Sequence, residues 1–295
     1  MRTLIIYHAV KPGIDCPDGI SAAWVARQKF PEADLLPHSY GEDLPDVSEY
    51  NALVIVDYSF KKDVLEMWRS QGKAITVIDH HKTALNDLSE FSGAIFDMKE
   101  SGATLAWKHF FPETPVPAYL QYVKDRDLWE FELPYTEEIY EAIANNGRSL
   151  KQIDEYVKLS QDQLIKLFAP KGAALLQPKR IRVEELAQSA FLVFVKGFGA
   201  IACEIPEAEG RLSSDLASFL YRNHPEENFA VILTHYLDRE PNGWGLSFRS
   251  DKKGNNFDVS AIAKLFGGGG HHNAAGAFIP DPRLSLSQVV DKLDT

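Results

Sequence analysis

One stretch constrains this chain more than any other: Ile75-Thr76-Val77-Ile78 runs directly into Asp79-His80-His81. A short, branched, apolar run reads as a strand buried on both faces of a parallel sheet. Polar groups at the carboxyl end of such a strand face the crevice where open α/β sheets bind ligands. A single histidine there is commonly a satisfied structural residue. A carboxylate and two imidazoles together need partners, and a metal ion supplies them.

The same pattern recurs upstream. Leu4-Ile5-Ile6-Tyr7 ends in His8, and the loop beyond it carries Asp15 and Asp18 before a helix rich in small residues from Gly19. Ala52-Leu53-Val54-Ile55-Val56 ends in Asp57, followed by an amphipathic helix through Val64, Leu65, Met67 and Trp68 and a closing Gly72. Leu35-Leu36-Pro37-His38 reads as an edge-like strand and Ala94-Ile95-Phe96 as a further short one. Strand, polar loop and helix form the first half of a βαβ unit. The carboxyl ends of parallel strands lie along one edge, so these residues can pool in one crevice. Asp15 and Asp18 each also read as a helix cap or turn former. A helical segment from Ala118 to Lys124 delivers Asp125-Arg126-Asp127, whose ordinary meaning is an ion pair or a helix end.

Residues from about 136 to 188 read as a run of helices broken near Ser149 and Pro170. Composition changes near Ser189, where strand-like runs at Phe191–Val195, Ala200–Cys203, Phe229–Thr234 and Trp244–Arg249 surround a helix from Arg211 to Tyr221. The expectation is an α/β protein with a parallel-sheet N-terminal domain and flanking helices over 1–165. A helical linker over 166–188 and a smaller mixed-sheet α/β domain over 189–295 follow, with a cleft between the domains. The helix Val259–Phe266 leads into Gly267-Gly268-Gly269-Gly270-His271-His272-Asn273-Ala274-Ala275-Gly276. Small residues around a histidine read as a binding loop: they permit close backbone approach, and consecutive N–H groups cradle anions. Arg249, at a strand end, reads either as a fork for phosphate or as a plain surface cation.

Composition sets the outer bounds. The 295 residues suffice for two domains, and 45% hydrophobic content for their cores. A formal charge of −11 argues against a long nucleic acid duplex as partner. No apolar run approaches the ~20 residues of a membrane helix, and the N-terminus reads as a strand rather than a signal peptide. Cys16 and Cys203 lie far apart, without a disulfide framework, so the cytoplasm is the expected compartment.

Asp79-His80-His81 after its apolar strand resembles the signature of the DHH phosphoesterase superfamily. Gly268-Gly269-Gly270-His271-His272-Asn273-Ala274-Ala275-Gly276 resembles the Gly-Gly-Gly-His-x-x-Ala-Ala-Gly motif of the DHH-associated C-terminal domain. The two occur in the family's order, about 190 positions apart, and the resemblance spans essentially the whole chain. It implies a metal-dependent, usually manganese-dependent, phosphoesterase. Such families include single-strand exonucleases, nano-RNases, cyclic-dinucleotide phosphodiesterases and exopolyphosphatases.

Carried over by position, the resemblance makes His8, Asp15 and Asp18 the first motif. Asp57 becomes an aspartate bridging two metals, Asp79 an orienting group, His80 a ligand and His81 a neighbour of the scissile phosphate. The fourth-motif aspartate is Asp125 or Asp127, which the sequence does not separate. Arg249, Gly268, Gly269, Gly270 and His271 become substrate-binding residues. Six residues separate His8 from Asp15, a longer gap than many members have. Cys16 either coordinates a softer metal or fills space beside the site; the second is the reading adopted, since free cysteine packs as a small hydrophobe.

Carboxylate and imidazole sets suit octahedral Mn²⁺ or Mg²⁺, with Co²⁺ or Fe²⁺ as alternatives. Two ions about 3.5–4 Å apart would activate water and clamp phosphoryl oxygens. Without cations, so many carboxylates in one crevice would repel one another. The expected activity is hydrolysis of phosphodiester or terminal phosphate bonds in short oligonucleotides, dinucleotides or other small phosphate esters. The alternatives are an exopolyphosphatase or pyrophosphatase, and a non-catalytic nucleotide- or DNA-binding relative.

Overall fold

The computed structural model describes residues 2–237 and 241–294. Its contacts divide the chain into two units, Met1–Leu176 and Gln177–Thr295.

The first unit is organised by a parallel sheet. β1 (Thr3–Lys11) turns back on β2 (Ile14–Asp15) as a short antiparallel hairpin, and α1 (Pro17–Lys29) carries the chain to β3 (Asp34–His38). β4 (Ala52–Val56), α2 (Lys62–Ser70), β5 (Ala74–Asp79), α3 (Lys82–Leu88) and β6 (Ala94–Phe96) follow. The parallel order is β3-β1-β4-β5-β6. Alternation along the strands sends Ile5, Tyr7, Val54, Val56 and Ile78 to one face, under α1. Leu4, Ile6, Leu53, Ile55 and Val77 go to the other, under Leu65, Trp68 and Leu88 of α2 and α3. With both faces covered, the central positions of β1, β4 and β5 are nearly all apolar, which is why the runs are continuous rather than alternating.

The connections place the crevice. From β1 the chain crosses through α1 to β3 on one flank; β4, β5 and β6 build out on the other. The strand order therefore reverses between β1 and β4, the topological switch point where open sheets bind ligands. His8 lies in β1 and Asp57 directly follows β4, so the two border that point.

α4 (Gly102–Phe110), α5 (Ala118–Asp127), α6 (Thr136–Asn146), α7 (Leu150–Tyr156) and α8 (Gln161–Ala187) follow. The expected break at Pro170 does not occur: α8 runs through it. A proline inside a helix costs about 3 kcal/mol. Burial of Leu164, Phe168 and Ala169 in the first core offsets that, and Gly172 packs where a Cβ would overlap the Glu138 carbonyl. The boundary between the units falls within α8, inside the stretch read as a helical linker.

The second unit has its own mixed sheet. β7 (Phe191–Val195), β8 (Phe198–Ile205), a 3-10 turn at Glu207–Leu212, α9 (Ser213–Asn223), β9 (Phe229–Tyr236) and β10 (Gly243–Arg249) come first. α10 (Val259–Leu265), β11 (Gly269–His271), β12 (Ala274–Ile279) and α11 (Leu286–Asp294) complete it. The order is β11-β12-β10-β9-β8-β7, with β8 and β9 parallel and the other pairs antiparallel. The glycine run expected as a loop is in large part a hairpin. Gly267, at φ 73°, ends α10, and Gly269–His271 pairs with Ala274–Gly276. Glycine is required rather than merely tolerated at Gly268 and Gly270, where a Cβ would meet the Gly276 and Ala274 carbonyls. Among the described residues, no helix is long and apolar enough to cross a membrane.

Candidate metal centre

Asp57 is the centre of the site. It leaves β4 at φ 55°, a left-handed conformation that aspartate tolerates better than most residues and that ends the strand abruptly. Its side chain is buried, yet neither carboxylate oxygen accepts a hydrogen bond. Two imidazoles lie beside it: His80 Nε2 at 3.2 Å from Oδ1 and His8 Nδ1 at 3.5 Å from Oδ2. A buried carboxylate without hydrogen bonds is costly, and a cation between it and the imidazoles would satisfy both lone-pair sets. Burial alone would push its pKa up, but His8 and His80 outweigh that and hold the carboxyl below the usual range.

Asp18 reaches the same spot from the first turn of α1. Its Oδ2 accepts the Gly102 N–H at 2.5 Å and its Oδ1 the Ala103 N–H at 3.0 Å, so the N-terminus of α4 orients it. Burial, and then Asp57 and Asp127, still push its pKa well above the carboxylate range. His80 Nε2 lies 3.7 Å from Asp18 Oδ2 and 3.5 Å from Asp127 Oδ2. Burial disfavours the His80 imidazolium, but Asp57, Asp18 and Asp127 together raise its pKa to about 10.

Asp79, the last residue of β5, plays a different part. Its Oδ1 accepts the backbone N–H groups of His80 at 2.7 Å and His81 at 3.2 Å, and His81 Nδ1 at 2.6 Å; its Oδ2 accepts the Ser59 hydroxyl at 2.6 Å. Those bonds fix the turn and the His81 ring. Burial lowers the pKa of His81, but Asp79 overrides it and raises the value, which favours the imidazolium.

Donor atoms fall into groups that would hold cations. His8, Cys16 and Asp57 have ligand atoms within 4.8 Å of one another, as do Asp18, His80 and Asp127. Asp57 also groups with Asp79, His80 and His81. It therefore belongs to two neighbouring clusters, as a bridging ligand would.

Two residues expected at the site lie elsewhere. Asp15 is exposed: β2 pairs it with Ala9, and its carboxylate accepts the Tyr7 hydroxyl at 3.0 Å. Asp125 is buried but faces the chain beyond α5, accepting the backbone N–H groups of Glu132 at 2.8 Å and Leu133 at 3.2 Å and the Thr136 hydroxyl. Residues two apart on a helix diverge by about 200°. Asp127 thus meets His80 while Asp125 ties down a loop.

The sequence reading also missed contributors. Gly102 and Gly19 admit close approach: a Cβ at 102 would lie 2.5 Å from the Asp57 Cβ, and one at 19 would lie 2.2 Å from the His8 carbonyl oxygen. Ser101-Gly102-Ala103, small residues opening a helix, was the available signal. Tyr40, 56% exposed, lies over Tyr58 with ring centroids 4.5 Å apart, and its centroid is 5.5 Å from His8 and 6.4 Å from His81. Beside Asp18 and Asp127 a cavity of about 100 Å³ is lined by Arg126 and Tyr140.

In the second unit, strand register aligns His271, Ala274 and Arg249 in one cross-strand row. Directly opposed residues share a face of the sheet. Arg249 is half-buried and donates to the Ser214 hydroxyl at 2.9 Å and to the Phe248 carbonyl at 2.8 Å. Gly268, Gly269 and Gly270 lie at the start of the same hairpin, and His271 is exposed.

Comparison with known proteins supplies the fold's relatives. No family model matches the chain. An uncharacterized protein of Acanthamoeba polyphaga mimivirus is 25% identical over 295 residues, covering 92% of this chain. The chain spans 66% of that relative's length. Among solved structures, the DHH domain of a member of the S1p family of ribosomal proteins has a TM-score of 0.60 at 16% identity, covering 100% of this chain and 87% of that one. An exopolyphosphatase-related protein from Bacteroides fragilis gives 0.59 at 14% identity, over 98% and 89%. A pGpG-specific phosphodiesterase from Vibrio cholerae gives 0.53 at 14% identity, over 95% and 93%. The chain has the DHH fold. The Asp-His-His triplet stands at the end of β5, the strand beside β4.

Proposed function

We propose that this protein is a divalent-metal-dependent phosphoesterase that hydrolyses phosphodiester or terminal phosphate bonds of short nucleotides. One observation carries the reading: both Asp57 oxygens are buried without a hydrogen bond, between two groups of metal-ligating side chains. A purely structural carboxylate would be capped, as Asp79 and Asp125 are. Divalent cations bound there supply Lewis acidity, lowering the pKa of a water and drawing charge from phosphoryl oxygens. His8, Asp18, Asp57, His80 and Asp127 are the residues that would hold them, with Mn²⁺ the first ion to test.

The protein's own groups account for the remaining roles. Asp79 fixes His81 through Nδ1 and favours its protonated form, so the imidazolium is suited to donating a hydrogen bond to a phosphoryl or leaving oxygen. Arg126 lines the cavity beside Asp127, with its guanidinium 4.0 Å from the Trp129 ring centroid, and would complement a further phosphate oxygen on turning toward it. In the second unit, Arg249, His271 and the glycine hairpin are that unit's own candidates for binding a phosphate. The names of two structural relatives, a pGpG-specific phosphodiesterase and an exopolyphosphatase-related protein, are compatible with phosphoester chemistry.

Tyr40 favours a base-bearing substrate over polyphosphate. An exposed aromatic ring within stacking reach of His8 and His81 is a platform for a nucleobase, and polyphosphate would make no use of it. The test is a panel of dinucleotides, cyclic dinucleotides, a nucleoside bisphosphate and polyphosphate, incubated with Mn²⁺ or chelator. Metal-dependent cleavage of the nucleotides is expected. No cleavage of any phosphate ester with any divalent cation would overturn the reading, and cleavage of polyphosphate alone would overturn the substrate class.

A further inference from the structure

We infer that Cys16 is a metal ligand, and that the subsite it shares with His8 and Asp57 is built for a borderline cation such as Fe²⁺, Co²⁺ or Zn²⁺ rather than for Mg²⁺. The inference rests on the metal-centre reading above and adds to it the identity of one ligand and the class of ion.

The local backbone explains how a cysteine came to face the crevice. β1 extends past His8 and folds back, pairing Ala9 with Asp15. Neighbouring residues in extended chain point to opposite sides. With the Asp15 carboxylate turned to the Tyr7 hydroxyl, the next side chain is directed the other way, to His8 and Asp57. The hairpin thus exchanges a carboxylate for a thiol at the rim of the crevice.

Cys16 occupies the N-cap of α1, where serine, threonine or aspartate would accept a backbone N–H; its thiol has the Gly19 N–H nearby but makes no capping hydrogen bond of regular geometry. Its sulfur lies within 4.8 Å of a His8 ring nitrogen and an Asp57 carboxylate oxygen, a polar placement that space-filling alone does not call for. Asp57, buried and without a hydrogen bond, is an independent observation pointing at a cation in the same place. Imidazole, thiolate and carboxylate form a mixed donor set. Sulfur donors select borderline and soft ions, whereas Mg²⁺ takes oxygen ligands almost exclusively. On coordination the thiol proton leaves to solvent and the sulfur donates its lone pair to the ion.

Co²⁺ is the probe. Full-length protein stripped with chelator is titrated with Co²⁺ while its near-ultraviolet absorption and its binding heat are recorded. The expected result is a thiolate-to-cobalt charge-transfer band that rises with binding in the parent and is lost in Cys16→Ser, which still binds Co²⁺. Cys203 remains in that variant and serves as the internal control. Cys16→Asp is expected to shift the ratio of Co²⁺ to Mn²⁺ affinity at least about tenfold toward Mn²⁺. Co²⁺ binding without the band, or a band that persists in Cys16→Ser, would overturn the assignment and leave the metal centre standing. No binding of any divalent cation by the parent would overturn the metal centre itself. If the Cys16 variants fail to fold, the same titration of Cys203→Ala decides it: a band that persists there supports Cys16, and its loss overturns the assignment.

Discussion

Gly102 lies directly against Asp57: a Cβ at position 102 would sit 2.8 Å from the Asp57 Oδ1. The same peptide segment donates two N–H groups to Asp18. One helix start therefore sets the positions of two carboxylates. Gly102→Ala is expected to displace Asp57 and the α4 N-terminus together, lowering stability by about 1–3 kcal/mol and weakening Mn²⁺ binding at least about tenfold. Calorimetric titration beside a denaturation curve checks both; unchanged metal affinity would show that the close approach is incidental.

Asp125 and Asp127 should separate cleanly. Asp125→Ala leaves two N–H groups and a hydroxyl without their acceptor, so a loss of about 2–4 kcal/mol is expected, with metal affinity of the folded fraction retained. Asp127→Ala should do the reverse, costing little stability and much affinity. Urea denaturation and Mn²⁺ titration of both variants decide it, and a swapped outcome would return Asp125 to the centre. Asp15→Ala, by the same reasoning, should leave turnover within a few fold of the parent.

Those three aspartates mark how far the sequence could be read. The apolar runs ending in His8, Asp57 and Asp79-His80-His81 were legible because a doubly covered parallel sheet requires such strands and opens at their carboxyl ends. The fold class followed from the same runs. What was not legible depends on three-dimensional register. The hairpin that turns Asp15 outward and Cys16 inward shows as nothing more than a Pro-Gly turn in sequence. The divergence of Asp125 from Asp127 depends on which face α5 buries. Pro170 argued for a break that packing overrode, and the glycine run concealed a strand because its glycines answer to neighbouring carbonyls rather than to a turn.

Tyr40 gives the sharpest test of substrate class. Stacking on an aromatic side chain contributes about 1–3 kcal/mol per base. Tyr40→Ala should therefore raise KM for a dinucleotide by about tenfold while leaving any pyrophosphate or polyphosphate turnover unchanged. An equal effect on both substrate types would assign the ring to local packing.

Away from the metal centre, stability should carry one readable pH dependence. Burial pushes the pKa of Glu100 up, but Lys108 and Lys124, at 2.7 and 3.0 Å from its Oε1, hold it below the usual carboxylate value. A depressed folded-state pKa contributes stability that is present above the unfolded pKa and is lost as pH falls through the folded one. Glu100→Gln should thus be destabilised by about 1–2 kcal/mol at neutral pH. Its difference from the parent should shrink as pH drops below about 4. Chemical denaturation across that range measures it, and a pH-independent difference would contradict the ion pair's role.

The central claim is that Asp57 bridges two cations. Anomalous diffraction from crystals grown with Mn²⁺ tests it most directly. Two separate peaks are expected, both in contact with Asp57, one adjoining His8 and the other adjoining Asp18, His80 and Asp127. An empty crevice at full Mn²⁺, or a single peak at Asp15 or Asp125, would contradict the account.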